Sequence, residues 1–120
     1  MKKIVLLIVL PLLLGCKSQM EKTVKEGHFD ACKKATVEKL IENYFADPKW
    51  ESFIADDGKY HINVTGKITF NNKPAKALLQ FYIYEDDERW EVNAFEINGK
   101  PQQDLMVVEL IEDMCNEYKE

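Results

Sequence analysis

The sequence predicts a small α+β domain, an antiparallel meander of about four strands with an N-terminal and a C-terminal helix packed on one face. Three observations predict it. Residues 37–45 place apolar side chains at helical spacing, residues 60–97 change to alternation broken by turn signals, and residues 105–118 return to helical spacing. The chain has 120 residues, 16 basic against 21 acidic. That is one domain's length, and its acidity argues against nucleic acid, which asks for a clustered basic surface.

Taken in order, the chain starts with Lys2 and Lys3 and then runs from Ile4 to Leu14 without a charge, interrupted only by Pro11. A basic start and a short apolar run form the layout of a secretory signal peptide. As a helix the run reaches about 16 Å, half of a ~30 Å hydrocarbon core, too short to span it comfortably. Leu13-Leu14-Gly15-Cys16 follows, then the polar Lys17-Ser18-Gln19.

These residues resemble the lipobox of bacterial lipoproteins: Leu, a small or apolar residue, Gly or Ala, then Cys. In that family the Cys thiol receives a diacylglyceryl group, the peptide is cut just before the Cys, and the new amine is often acylated. The resemblance implies a signal peptide over residues 1–15, a lipidated Cys16, a polar tether through residue 25, and one domain over 26–120. Two or three acyl chains give stable attachment, where a single chain gives marginal attachment. Gram-negative sorting is read at the residue after the Cys, and Lys17, not being Asp, favours the outer membrane. A Gram-positive host would leave the protein on the plasma membrane. An ordinary signal peptide with a coincidental Cys is the alternative.

Cleavage would leave 105 residues with 14 basic and 21 acidic, a balance of −7. Such a balance suits a domain held off an anionic membrane by its tether, and it argues against a basic groove for phosphate head groups. With Cys16 lipidated, Cys32 and Cys115 remain as an even pair in an oxidising compartment, which predicts a disulfide. The loop closed is about 84 residues, worth about 3–5 kcal/mol in the chain-entropy description. Two separately buried thiols are the alternative. The two Cys and two His, His28 and His61, lack a recognised metal-ligand spacing.

Residues 17–25 show no apolar period and read as a flexible linker that Gly27 ends. Thr36 reads as an N-cap with Glu38 in the first turn. Val37, Leu40, Ile41, Tyr44 and Phe45 make the buried face of the first helix, which Asp47-Pro48 stops. Trp50 to Ala55 reads as the first strand, with Trp50 either in it or in the turn before it. Asp57-Gly58 signals a hairpin.

Tyr60, Ile62, Val64, Ile68 and Phe70 then alternate with His61, Asn63, Thr65, Lys67 and Thr69, and Gly66 on the apolar side marks a bulge or a close backbone approach. After the turn Asn71-Asn72-Lys73-Pro74, Ala75, Ala77, Leu79, Phe81 and Ile83 alternate with Lys76, Leu78, Gln80, Tyr82 and Tyr84. Asp86-Asp87-Glu88 makes an acidic turn. Trp90, Val92 and Ala94 share a face, but Phe95 and Ile97 shift phase, so an irregularity is expected near Ala94. Asn98 to Pro101 ends the sheet. In the last helix Leu105, Val108, Ile111, Cys115 and Tyr118 form the expected stripe, widened by Met106, Leu110 and Met114.

The run Tyr44-Phe45-Ala46-Asp47-Pro48-Lys49-Trp50-Glu51-Ser52-Phe53 resembles a signature of small exported or membrane-tethered bacterial domains of unknown function, in which a helix ends ahead of Pro-Lys-Trp-Glu. Val64-Thr65-Gly66, Gln80-Phe81 and Glu96-Ile97-Asn98-Gly99-Lys100-Pro101-Gln102 fit the same pattern, so the likeness covers roughly residues 24–118. It implies a fold and an envelope setting and no particular activity. The element order alone is also similar to two-helix, four-strand envelope lipoproteins and to β-lactamase-inhibitor-like modules, which is fold analogy.

No Gly-x-Ser-x-Gly elbow, His-Glu-x-x-His pair or phosphate loop is present. Glu85-Asp86-Asp87-Glu88 lacks the spaced oxygens and glycine of a calcium loop and reads as a solvated turn. No cofactor is implied. The surface that stands out is the sheet face away from the helices, where His61, Asn63, Thr65, Gln80, Tyr82, Tyr84, Glu91 and Asn93 would project with Leu78. Tyrosines among short polar groups suit protein or glycan contact, although cross-strand Tyr and Thr also stabilise a solvent-facing sheet unaided. The expectation is a non-catalytic envelope lipoprotein binding an envelope protein partner through His61, Asn63, Gln80, Tyr82, Tyr84 and Asn93. The alternatives are a small-ligand or envelope-polymer binder with a pocket between sheet and helices, and a hydrolase built on His61 and a neighbouring carboxylate.

Overall fold

A computed structural model of the chain describes residues 19–84 and 89–119. The Leu13–Cys16 stretch and the acidic turn at residues 85–88 lie outside the described residues. Helix α1 covers residues 19–25 and α2 runs Val37–Tyr44. The sheet follows as β1 Ala46–Ile54, β2 Tyr60–Phe70, β3 Lys73–Ile83, β4 Trp90–Ile97 and the two-residue β5 Lys100–Pro101, before α3 Asp104–Glu117. The strands pair antiparallel in sequence order, the meander that the sequence predicts, lengthened by β5. The fold is α+β, with helices at both ends of the chain.

Residues 19–25 differ from the expected linker. They are helical, and Val24 has no exposed surface. Met20 and Val24, four residues apart, both pack against the core, but two apolar residues are too few to mark a period, so the segment reads as polar; tertiary contacts make it a helix. Glu21 accepts a 2.6 Å hydrogen bond from Ser52 of β1, and Lys25 lies over the Trp50 ring. Gly27 serves the same packing, because a Cβ there would meet the Trp90 ring at 2.9 Å.

Thr36 caps α2, accepting from the Lys39 backbone N–H at 3.3 Å, and Val37, Leu40 and Ile41 are fully buried. The helix ends at Tyr44, earlier than its apolar period suggests, and β1 begins at once. Pro48 therefore sits inside a strand. It is tolerated because β1 is an edge, and because Asp47-Pro48 forms a bulge between the pairs Ala46↔Lys67 and Lys49↔Thr65. Gly66 lies opposite this crossing, where a Cβ would press on the Ala46 carbonyl and the Phe45 ring; the close approach expected there is present.

The β2–β3 turn fixes the register of the central sheet. Asn71 and Asn72 both hold positive φ, 51° and 62°, the signature of a two-residue type I′ turn. Lys73 and Pro74 consequently belong to β3, and every pair back to Tyr60↔Ile83 follows without a slip. The irregularity expected near Ala94 is also present: Gln80 pairs with Ala94 but Phe81 with Val92, so Asn93 is an extra residue.

Phe81 is the centre of the core. Its ring lies 6.3 Å from Phe29, 6.3 Å from Trp50 and 5.6 Å from Trp90, and it has no exposed surface. Leu40, Ile62, Val64, Leu79 and Met114 are also sealed; each such side chain stabilises the fold by about 1.5–3 kcal/mol relative to exposure. The Cys32–Cys115 disulfide is present, joining the segment before α2 to α3 across 83 positions.

Helix α3 is rotated from its expected phase. Leu110 and Met114 are buried while Val107, Ile111 and Tyr118 are half-buried, and Leu105 and Val108 are 66% and 49% exposed. Four consecutive apolar residues, Leu105 to Val108, leave the phase open in the sequence. The disulfide and the contact with α2, where the Asn43 amide donates to the Glu117 carbonyl at 3.4 Å, choose it.

Candidate functional site

The pleat sends alternate side chains of β1 to β4 away from the helices, and register decides which of them meet. His61 pairs with Tyr82, Asn63 with Gln80, and Thr65 with Leu78. Phe53 pairs with His61 on one side and Glu91 with Tyr82 on the other. The six expected binding residues therefore lie together on one face, in two adjoining rows.

The first row is aromatic. Phe53 stacks on His61 at 5.5 Å and 16°, His61 meets Tyr82 edge-on at 5.5 Å, and Tyr82 meets Tyr84 edge-on at 4.6 Å. Cations cover its two tyrosines: Lys59 Nζ is 5.2 Å above Tyr82, and the Arg89 guanidinium is 4.9 Å above Tyr84. Such contacts add roughly 0.5–1 kcal/mol each at exposed positions. The Tyr84 hydroxyl donates to Glu91 at 2.9 Å, and that bond, aided by burial and by the carboxylate's charge, raises the phenol pKa above its ordinary 10.0. Hydrogen bonding to Tyr82 raises the Lys59 pKa in turn.

The second row is a chain of amides. Gln80 Nε2 donates to Asn63 Oδ1 at 2.9 Å, and Asn93 Nδ2 donates to Gln80 Oε1 at 2.6 Å. Asn93 reaches Gln80 because the β4 irregularity gives it the extra position opposite that residue. The amides are oriented by one another and remain partly open to solvent.

His61 differs from a solvated strand histidine. It is 7% exposed, and within the described protein neither ring nitrogen has a hydrogen-bond partner; Asp57 Oδ1 stands 3.7 Å from Nε2. Burial comes from Phe53 and Tyr82 on its two sides. Phe53, Lys59 and Arg89 escape a reading made strand by strand. The signal that finds them is register: alternation along Lys49-Glu51-Phe53 puts Phe53 on the open face once β1 is paired.

Grooves also flank the core. One of about 620 Å³ lies between His28–Ala31, the start of β4 and α3, lined by Phe29, Trp90, Val92, Val107 and Ile111. A smaller one of about 240 Å³ lies between Tyr44, Phe70, Phe95 and α3. Phe81 itself is sealed against Phe29, Trp50 and Trp90, of which Phe29 and Trp90 also line the larger groove. Among the described residues, no group of three or more His, Cys, Asp or Glu side chains could hold a metal ion, and no helix is long and apolar enough to cross a membrane. Comparison of the chain with family models, with curated proteins and with solved structures finds no match.

Proposed function

We propose that this protein is a non-catalytic cell-envelope lipoprotein, anchored through Cys16, that docks an envelope protein on the open face of its sheet. The observation that carries the reading is the preassembled row Phe53–His61–Tyr82–Tyr84, flanked by Lys59 and Arg89 on a face that the helices leave uncovered. Aromatic and Arg side chains are the types that anchor protein interfaces, and side chains already held in place lose little entropy on binding. The amide row beside it supplies polar contacts without a buried charge. The filled centre around Phe81 weighs against a ligand pocket in the middle of the helix–sheet interface.

The test is crosslinking in cells followed by capture of the intact lipidated protein, beside a Tyr82→Ala/Tyr84→Ala variant. The expected result is one envelope protein crosslinked to wild type and lost from an equally folded variant. Equal capture by both forms would remove the aromatic row as the docking surface.

A further inference from the structure

The open face holds a second feature at its opposite end. Ala46, Lys49, Thr65, Lys67, Lys76, Leu78 and their neighbours line an open hollow of about 410 Å³, within the size range of small-ligand sites. Its walls come from two cross-strand rungs, Ala46–Lys67–Lys76 and Lys49–Thr65–Leu78–Glu96, which register places side by side.

Three observations set this cavity apart from an ordinary solvated surface. First, Lys67 and Lys76 are directly opposed on β2 and β3. Like charges at such positions repel at close range and destabilise a sheet, and Lys49 adds a third ammonium from β1. Second, among the described residues none of these three ammonium groups takes part in an ion pair, although the chain carries more acidic than basic residues. Third, the wall at β1 is made by a strained bulge. Asp47 holds φ 51° ahead of Pro48, a left-handed conformation unfavourable for a residue with a Cβ. Repulsion and strain both oppose folding, and together they build a hollow lined by three lysines against the carboxylates of Asp47 and Glu96, with a half-buried leucine at its floor.

We propose that this cavity binds a small organic anion, a carboxylate or phosphate carrying a short apolar portion. The anionic group lies among Lys49, Lys67 and Lys76, where it relieves their repulsion. The apolar portion covers Leu78 and the methyl of Thr65. Glu96 stands at the far wall as a hydrogen-bond acceptor, and the apolar cover over Leu78 selects against a bare inorganic ion. The site is separate from the aromatic row, and its occupancy does not depend on the protein partner.

The experiment titrates the full chain, held in a non-ionic detergent, with phenyl phosphate at constant ionic strength and follows backbone amide resonances. Saturable shifts centred on Thr65, Gly66 and Leu78 are expected, larger than those inorganic phosphate causes. Lys67→Gln/Lys76→Gln should weaken the affinity roughly tenfold and melt no lower than wild type, because the substitutions remove repulsion. Lys73→Gln, at the solvent-facing start of β3, should bind as wild type does. Unsaturable shifts, or equal affinity in the double variant, would overturn the proposal. So would cosedimentation with phosphatidylglycerol vesicles that the double variant loses, if phenyl phosphate leaves the cavity resonances unmoved; the lysines would then serve a lipid surface.

Discussion

The Trp50 and Phe81 rings lie 6.3 Å apart and within 6° of parallel, one from the edge strand β1 and the other from the central strand β3. β2 runs between them in the sheet, so the two rings meet above it on the helix side. This contact ties the edge to the centre by side chains as well as by backbone hydrogen bonds. Phe81→Ala should cost about 3–5 kcal/mol, the range for deleting a buried aromatic ring. Urea denaturation of wild type and variant measures it. A cost below about 1 kcal/mol would mean that the ring is not the core's centre.

The lipid anchor makes a separate prediction. Cys16→Ser should abolish metabolic labelling with a fatty acid and release the domain from membranes, with the fold unchanged. Persistent labelling would refute the lipobox reading.

Thiol counting on the purified protein should find Cys32 and Cys115 blocked until reduction. Replacing both with Ser should cost about 2–5 kcal/mol, read by thermal or denaturant unfolding. Free thiols in the unreduced protein would contradict the bridge.

Tyr44 predicts how the fold responds to alkali. Burial, then the charges of Asp113 and Glu117, raise its pKa above the ordinary 10.0. The folded state therefore keeps the phenol proton when the unfolded chain has begun to lose it. Stability conferred by the neutral phenol is full below pH 10 and declines as pH rises from about 10 through the raised folded value. Tyr44→Phe should flatten that decline in a pH series of denaturation curves. An unchanged slope would assign the alkaline loss elsewhere.

His61 predicts a substitution that is nearly free. A buried imidazole with neither nitrogen bonded costs roughly 1–3 kcal/mol of desolvation. His61→Leu keeps much of the contact with Phe53 and Tyr82 and removes that cost, so stability should stay level or rise slightly. A large loss in the melting temperature would show that a hydrogen bond holds the ring.

Several of these features are legible in the sequence for physical reasons. The strand alternation from Tyr60 to Tyr84 specifies one buried face. The register is not legible in the same way: a turn over residues 71–74 counts outward to other pairs, and only the two-residue turn at Asn71-Asn72 gives His61↔Tyr82, Asn63↔Gln80 and Lys67↔Lys76. The parity of Cys32 and Cys115 points to their bridge. Other features are set by contacts between distant segments and leave no local trace. Residues 19–25 become helical through Val24, Ser52 and Trp50. The phase of α3 depends on where its partner surfaces lie, because Leu105 to Val108 offer apolar side chains in every direction. The lysine cavity needs the bulge at Asp47, and a residue before proline in a sequence reads first as a helix stop.

The position of Cys32 determines how the body would carry mechanical load. Force entering from the N-terminal side first meets residues 19–31, held by Val24, the Phe29 contacts, the carboxylate–hydroxyl bond to Ser52 and the contacts of Lys25 with Trp50 and Glu38. Those can peel away one after another. At Cys32 the pull reaches a covalent link and is diverted into α3 at Cys115, on the far end of the chain. When the chain is pulled by its two ends, the sheet between the two cysteines lies inside the closed loop and is bypassed by the tension, so its open face keeps its shape while the first helix gives way.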